Sequence, residues 1–252
     1  MAIVSWCPRG DRTWHPFLQT RYRVTAIGTI IQARNLTRKH QAREFTLLAP
    51  TDFSLLAGSQ LAITGPSGSG KSVFLRTLAL LDMPSAGQVF WNGHQVQGGM
   101  IPQYRSRVCY VSQKAAVTDG SVEDNLRFPF ALKHHRHRNF SKEFASCLLE
   151  KAGKDGSFLS KRAAELSGGE LQVMALVRIL QLEPEVMLLD EPTSALDPAS
   201  ATAVENLVMD WFALKSASRA YIWVSHDPAQ VVRVAARYLK MDKGVLAQWS
   251  PI

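Results

Sequence analysis

The chain has 252 residues, 46% hydrophobic and 20% charged, with a formal net charge of +8, which suits one large soluble domain or a domain with a smaller subdomain. No apolar run approaches the ~18 residues of a membrane span, and the stretch MAIVSWCPRGDRTWHPF lacks the continuous apolar core of a secretory signal. Cys7, Cys109 and Cys147 are too scattered for a disulfide framework or a zinc cluster, so a reducing, cytoplasmic setting is expected; the charge suits anionic lipid, nucleic acid or nucleotide without choosing among them.

Residues 1–28 are irregular, punctuated by Pro8, Gly10, Pro16 and Gly28, and read as an extension that is partly disordered although it holds Trp6, Trp14, Phe17 and Tyr22. From Thr29 the character changes to short β-prone runs, first TIIQARNL and then LAIT (Leu61–Thr64). Gly65-Pro66-Ser67-Gly68-Ser69-Gly70-Lys71-Ser72 follows and fits G-x-x-x-x-G-K-[ST] between a strand and an apolar helix. Gly65, Gly68 and Gly70 let backbone N–H groups wrap phosphate oxygens, and the helix N-terminus adds the positive end of its dipole. Lys71 is placed to reach the β- and γ-phosphates, and Ser72 to ligate Mg²⁺.

QVFW (Gln88–Trp91) and RVCYV (Arg107–Val111) are the next strand candidates, and Gln113 just beyond offers an amide to Mg²⁺ or to an attacking water. A helical region is expected over roughly 115–165, with a basic run Lys133–Arg138 and a periodic segment Ser141–Lys151. In LSGGEL, Ser167 and Glu170 have the spacing of a capping box at the start of a helix whose Leu171, Met174, Ala175, Ile179 and Leu182 keep helical period. Gly168 and Gly169 are poor helix formers in the first turn, so something needs bare backbone there.

VMLLD (Val186–Asp190) and AYIWVS (Ala220–Ser225) are short, strongly apolar strands separated by a helical segment, Ala199–Lys215. Asp190 ends the first and is placed to hold Mg²⁺, while Glu191, just past it, points to the other face as a general base for in-line attack on the γ-phosphate. His226 follows the second strand in the same way and is expected to sense the γ-phosphate. Strands alternating with helices argue α/β with a mainly parallel sheet, in one copy.

These motifs in this order resemble the ATP-binding cassette (ABC) ATPases over about residues 30–245, with LSGGE the most specific of them. The resemblance implies a P-loop NTPase over 29–252: a RecA-like, mainly parallel core, an N-terminal antiparallel β portion and a helical subdomain inserted at about 114–166. It implies ATP and Mg²⁺ as cofactors. It also implies a head-to-tail homodimer in which Ser167, Gly168, Gly169 and Glu170 of one copy face the γ-phosphate held by the other. Ser194-Ala195-Leu196-Asp197 matches the loop after the catalytic glutamate, at the dimer contact, and Val224-Ser-His-Asp matches the switch-histidine region.

Four departures stand out. Val73 replaces the usual Thr, Glu170 the commoner Gln, and Val173 a common Arg; for the adenine-stacking aromatic, His40 and Phe45 are the nearby candidates. One ATPase domain without a span is similar to the separate ATPase subunit of a transporter. Such a subunit docks on membrane permease subunits around Gln113 and the helical subdomain, at the cytoplasmic face, with no nucleic acid involved. The alternative is a soluble ABC ATPase of repair, translation or cofactor assembly. Repair members insert a long coiled coil where only about fifty residues separate Gln113 from Ser167 here. GSVEDNLRFPF, from Gly120, resembles small bacterial iron-exporter ATPases and related plant ATPases of aluminium tolerance, which points to metal-linked export. The run Lys133-His134-His135-Arg136-His137-Arg138 reads as a solvated basic face near lipid headgroups, since interleaved cations oppose metal binding.

Overall fold

The computed structural model describes residues 28–40, 45–247 and 250–251; the expected extension over 1–28 lies outside them, apart from Gly28. In chain order the strands are β1 (Thr29–Lys39), β2 (Thr46–Leu56), β3 (Gln60–Thr64), β4 (Ala86–Trp91), β5 (His94–Gln95), β6 (Val108–Val111), β7 (Val186–Asp190), β8 (Ala220–Val224), β9 (Arg237–Asp242), β10 (Val245–Leu246) and β11 (Ser250–Pro251). The helices are α1 (Lys71–Leu78), α2 (Met100–Arg107), α3 (Val122–Arg127), α4 (Lys142–Lys151), α5 (Gly168–Leu180), α6 (Pro198–Leu214) and α7 (Pro228–Val234). No helix among the described residues is long and apolar enough to cross a membrane.

Two sheets form. The first is antiparallel and four-stranded, in the order β2-β1-β4-β5. The second runs β10-β9-β3-β8-β7-β6, with β11 on β9, and its β6-β7-β8-β3-β9 pairings are parallel. Every residue of β7 and β8 is buried, as expected of strands covered on both faces. Their side chains alternate between two cores. Leu188, Ile222 and Val224 face one built with α1 and the antiparallel sheet, where Phe74, Leu75, Ile31 and Phe53 pack. Met187, Leu189, Tyr221 and Trp223 face the other, filled by Val173 and Met174 of α5 and Val208, Trp211 and Phe212 of α6.

Between β6 and α5 lie α3, α4 and short 3₁₀ turns, and Leu126, Ala145, Leu148 and Phe158 from this segment join the second core. The basic run is built in more firmly than a solvated face. Arg138 donates to the carbonyls of Gln181 and Leu182, satisfying the end of α5, and His135 is buried, which pushes its imidazole pKa down. Lys133, His134, Arg136 and His137 remain exposed.

The capping box at α5 forms as its spacing predicts. Ser167 Oγ accepts from the Glu170 N–H at 3.2 Å, and Glu170 Oε2 accepts from the Ser167 N–H at 2.9 Å. The Lys161 ammonium donates to Glu170 Oε1 at 2.9 Å. The Ser167 N–H first, and then Lys161, hold the Glu170 carboxyl at about 2, below its ordinary 4.5. A carboxyl depressed in the folded state stabilises above its unfolded pKa, and that stabilisation is lost as pH falls from 4.5 towards about 2. Glu170→Ala should therefore cost about 1–2 kcal/mol in denaturant unfolding at pH 7. The gap from the unsubstituted protein should shrink over that acid window; a gap independent of pH would contradict the assignment.

Candidate functional site

Parallel register sets the site. Asp190 pairs with Val224, Val224 with Ile63, and Leu189 with Val111, so β6, β7, β8 and β3 end at one level. Their next residues leave from the same edge: Ser112-Gln113, Glu191, Ser225-His226 and the loop from Gly65. The carboxyl ends of parallel strands are where open α/β sheets collect ligands.

Gly65 has a φ of +142°, and a Cβ there would lie 2.1 Å from the Met241 carbonyl oxygen, so only glycine fits the start of the loop. Pro66, Ser67 and Gly68 are exposed, and Gly70 precedes α1 without a side-chain cap, leaving the first N–H groups of α1 without a capping side chain. Lys71 is 7% exposed and donates to the carbonyls of Gly65 and Pro66, both at 2.9 Å, which holds its ammonium over the loop. Ser69 Oγ is buried without a hydrogen-bond partner, an orphaned polar atom that fits a loop receiving a polar ligand. Val73 contributes its carbonyl to Thr77 Oγ1 at 2.7 Å.

Asp190 is 3% exposed, and its Oδ2 accepts from the Tyr110 hydroxyl at 2.8 Å. Burial, then this hydrogen bond, push the Tyr110 phenol well above its ordinary value. Tyr110 was missed in the sequence because it is an ordinary strand residue until β6 is laid beside β7. Ser72, Gln113 and Asp190 bring hydroxyl, amide and carboxylate oxygens, the hard donor set that Mg²⁺ takes.

Glu191 has a φ of +48°, a left-handed backbone that is rare away from glycine and turns it out of the line of β7. Its Oε2 accepts from Gln113 Nε2 at 2.9 Å, and its Oε1 lies 3.7 Å from His226 Nδ1. The three residues expected to act at the γ-phosphate thus meet around one carboxylate. The His226 side chain is 71% exposed, against 20% for Glu191.

Helix α5 also grips the segment that carries Gln113. Gln172 Nε2 donates to the Ser112 carbonyl at 3.1 Å, and Arg178 donates to the Ala116 carbonyl at 2.7 Å. Ser167 and Gly168 at its N-terminus are exposed. The two glycines differ. A Cβ on Gly169 would meet the Ala195 carbonyl oxygen and Leu196 Cδ2, each at 3.0 Å, so the neighbouring loop of the same chain already requires glycine there. A Cβ on Gly168 would meet only Ala195 Cβ, at 3.9 Å, an ordinary contact. Ser194 and Ala195 are exposed, and Asp197 caps α6, accepting from the N–H groups of Ala199 and Ser200 at 3.0 Å each. His40 and Phe45 stack with ring centroids 5.1 Å apart, and Phe45 is exposed.

The sequence profile of the ABC transporter family matches residues 48–194. The chain is 38% identical over 210 residues to protein STAR1 of Oryza sativa subsp. japonica, covering 83% of this chain and about three fifths (59%) of that protein's length. It is 36% identical over 202 residues to the Probable iron export ATP-binding protein FetA of Escherichia coli (strain K12), covering 80% of this chain and 87% of FetA. The Fe(3+) ions import ATP-binding protein FbpC 3 of Rhodococcus jostii (strain RHA1) is 38% identical over 81% of this chain and 57% of its own. In fold, the chain superposes with a TM-score of 0.77 on an ATP-binding cassette solved as a dimer in a post-hydrolysis state with ADP and Pi, covering 88% of this chain and 98% of that one at 24% identity. The mainly parallel core, the phosphate-binding loop at its edge and these relatives together establish that the chain belongs to the ABC transporter ATPases, the family whose ATP-binding subunits hydrolyse ATP.

Proposed function

We propose that this chain powers export through separate membrane permease subunits, working as an ATP-dependent homodimer at the cytoplasmic face of the membrane. The observation that carries the ATPase half of this reading is the convergence of Lys71, Asp190, Glu191, Gln113 and His226 on one sheet edge. The loop Gly65–Ser72 binds the nucleotide phosphates through backbone N–H groups and the Lys71 ammonium. Ser72, Asp190 and Gln113 would hold Mg²⁺, which would neutralise charge on the phosphate oxygens. Glu191 accepts a proton from the attacking water as the bond between the γ-phosphorus and the β–γ bridging oxygen breaks. Gln113 orients that carboxylate, and His226, on its other oxygen, is placed to follow the γ-phosphate. Phe45, with His40, offers an exposed ring to the adenine.

Dimerisation is supported by the exposed N-terminus of α5. Gly168 has room for a methyl group within its own chain, so its bareness is left for the phosphate held by a second copy. The exposed side chains of Val117, Phe128 and Leu132, after Gln113, supply the apolar surface that docking on a permease needs. The export reading rests on the relative named for iron export, which is 36% identical to this chain over 87% of its own length. The same relative supports a metal-linked cargo.

Lys71→Ala should weaken ATP binding about 10- to 100-fold by titration calorimetry, the loss of charged hydrogen bonds to phosphate; unchanged affinity would contradict the site. Glu191→Gln should keep ATP affinity while turnover falls about 100-fold or more, and light scattering at saturating ATP-Mg²⁺ should show dimer accumulating. A persistent monomer would count against the mechanism. Gly168→Asp should leave nucleotide binding to the monomer intact and abolish turnover, and a normal rate would remove the role of α5 in the partner's site.

A further inference from the structure

Thr193, Glu205 and Gln230 come from three separate elements and meet in one buried polar node that the mechanism above does not use. Gln230, on α7, is 6% exposed, and Glu205, on α6, is 2% exposed. Gln230 Nε2 donates to Thr193 Oγ1 and to Glu205 Oε1, both at 2.8 Å, while its Oε1 accepts from Trp223 Nε1 at 3.3 Å. Arg233 closes the node by donating to both Glu205 oxygens at 2.9 Å. With both amide hydrogens used, the side chain has one orientation: flipping it would turn its carbonyl against the Glu205 carboxylate.

The node spans the two catalytic segments. Thr193 lies two residues after Glu191, in a turn closed by the Ser194 N–H to the Glu191 carbonyl and the Leu196 N–H to the Thr193 carbonyl. Trp223 and Gln230 bracket His226 in the chain. A buried amide therefore ties the loop bearing Glu191 to the strand and helix on either side of His226, whose Nδ1 lies 3.7 Å from the Glu191 carboxylate. We propose that Gln230 is a positioning residue for ATP hydrolysis, with Thr193 and Glu205 as its anchors, and that it fixes the spacing between Glu191 and His226. The inference rests on the roles assigned above to those two residues.

Gln230→Leu keeps the volume and removes the hydrogen bonds. A misplacement of order 1 Å at a catalytic group can cost about 100-fold, so kcat should fall about 10- to 100-fold with KM for ATP-Mg²⁺ little changed. Thr193→Val, which removes one anchor outside the deepest part of the node, should give a smaller fall of the same kind and decides the matter if Gln230→Leu does not fold. Gln230→Glu places a second carboxylate beside Glu205, so its turnover relative to the unsubstituted protein should rise as pH is lowered and a protonated carboxyl regains a donor. With the folded fraction of Gln230→Glu measured and constant across that pH range, a purely structural role would not give that profile. Glu191→Gln is assayed alongside. If it is inactive while folded Gln230→Leu and Thr193→Val turn over normally, or lose only ATP affinity, the positioning role is overturned. If Glu191→Gln itself hydrolyses ATP at the normal rate, the catalytic assignment fails and the positioning role with it.

Discussion

The pairing of β7 with β8 is the constraint on which the rest depends. Five residues of each, Val186–Asp190 against Ala220–Val224, lie parallel, in register and buried on both faces. A slip of one residue would exchange Leu188 and Ile222 with Met187 and Tyr221 between the two cores, so apolar packing on both sides fixes the register. Fixing it also fixes where the strands end, and hence that Glu191 and His226 leave the sheet beside one another. The same argument extends to β3 with its phosphate loop and to β6 with Gln113. Burial of the sheet thereby sets the geometry at its edge, without any contact among the candidate catalytic residues having to supply it.

Polar contacts then refine what the sheet sets roughly. Tyr110 holds one oxygen of Asp190, Gln113 one oxygen of Glu191, and the Gln230 node ties the loops behind them. Helix α5 is the link to the remainder of the molecule. Its first turn presents Ser167 and Gly168 to the outside, its middle grips the carbonyls of Ser112 and Ala116 on either side of Gln113, and its end is closed by Arg138. A second copy engaging the α5 N-terminus and a membrane subunit engaging the surface after Gln113, as proposed, would thus act on the same helix.

The site was readable in the sequence wherever its residues are consecutive or end an apolar run. Gly65–Ser72, Asp190-Glu191 and His226 announce themselves because a strand that must be buried stops and a chemically active residue follows. The capping box at Ser167 and Glu170 was equally local. Strand β2 was not anticipated, because TLLAPTDFSLL carries Pro50 and polar residues; they are tolerated since β2 lies at the edge of its sheet. Strand β9, RYLKMD, alternates with charged residues and hides its two core positions, Leu239 and Met241. Gly169 shows a different limit. Both glycines of LSGGEL read as serving a partner's phosphate, yet the approach of Ala195 and Leu196 gives Gly169 a reason within its own chain. Contacts between residues far apart in sequence, such as Gln230 with Thr193, leave no local pattern at all.

In the proposed homodimer each ATP site is shared, with the Gly65–Ser72 loop from one copy and the α5 N-terminus from the other. Mixing two defective variants tests it, at an ATP concentration where Lys71→Ala binds too little nucleotide to turn over. In a heterodimer of Lys71→Ala with Gly168→Asp, one site combines both lesions and the other combines an intact Gly65–Ser72 loop with an intact Ser167–Gly169 turn. Measured as phosphate release, the mixture should hydrolyse ATP while neither variant does so alone. A mixture as inactive as its components, under conditions where heterodimers are shown to form, would contradict a site built from two copies of this chain.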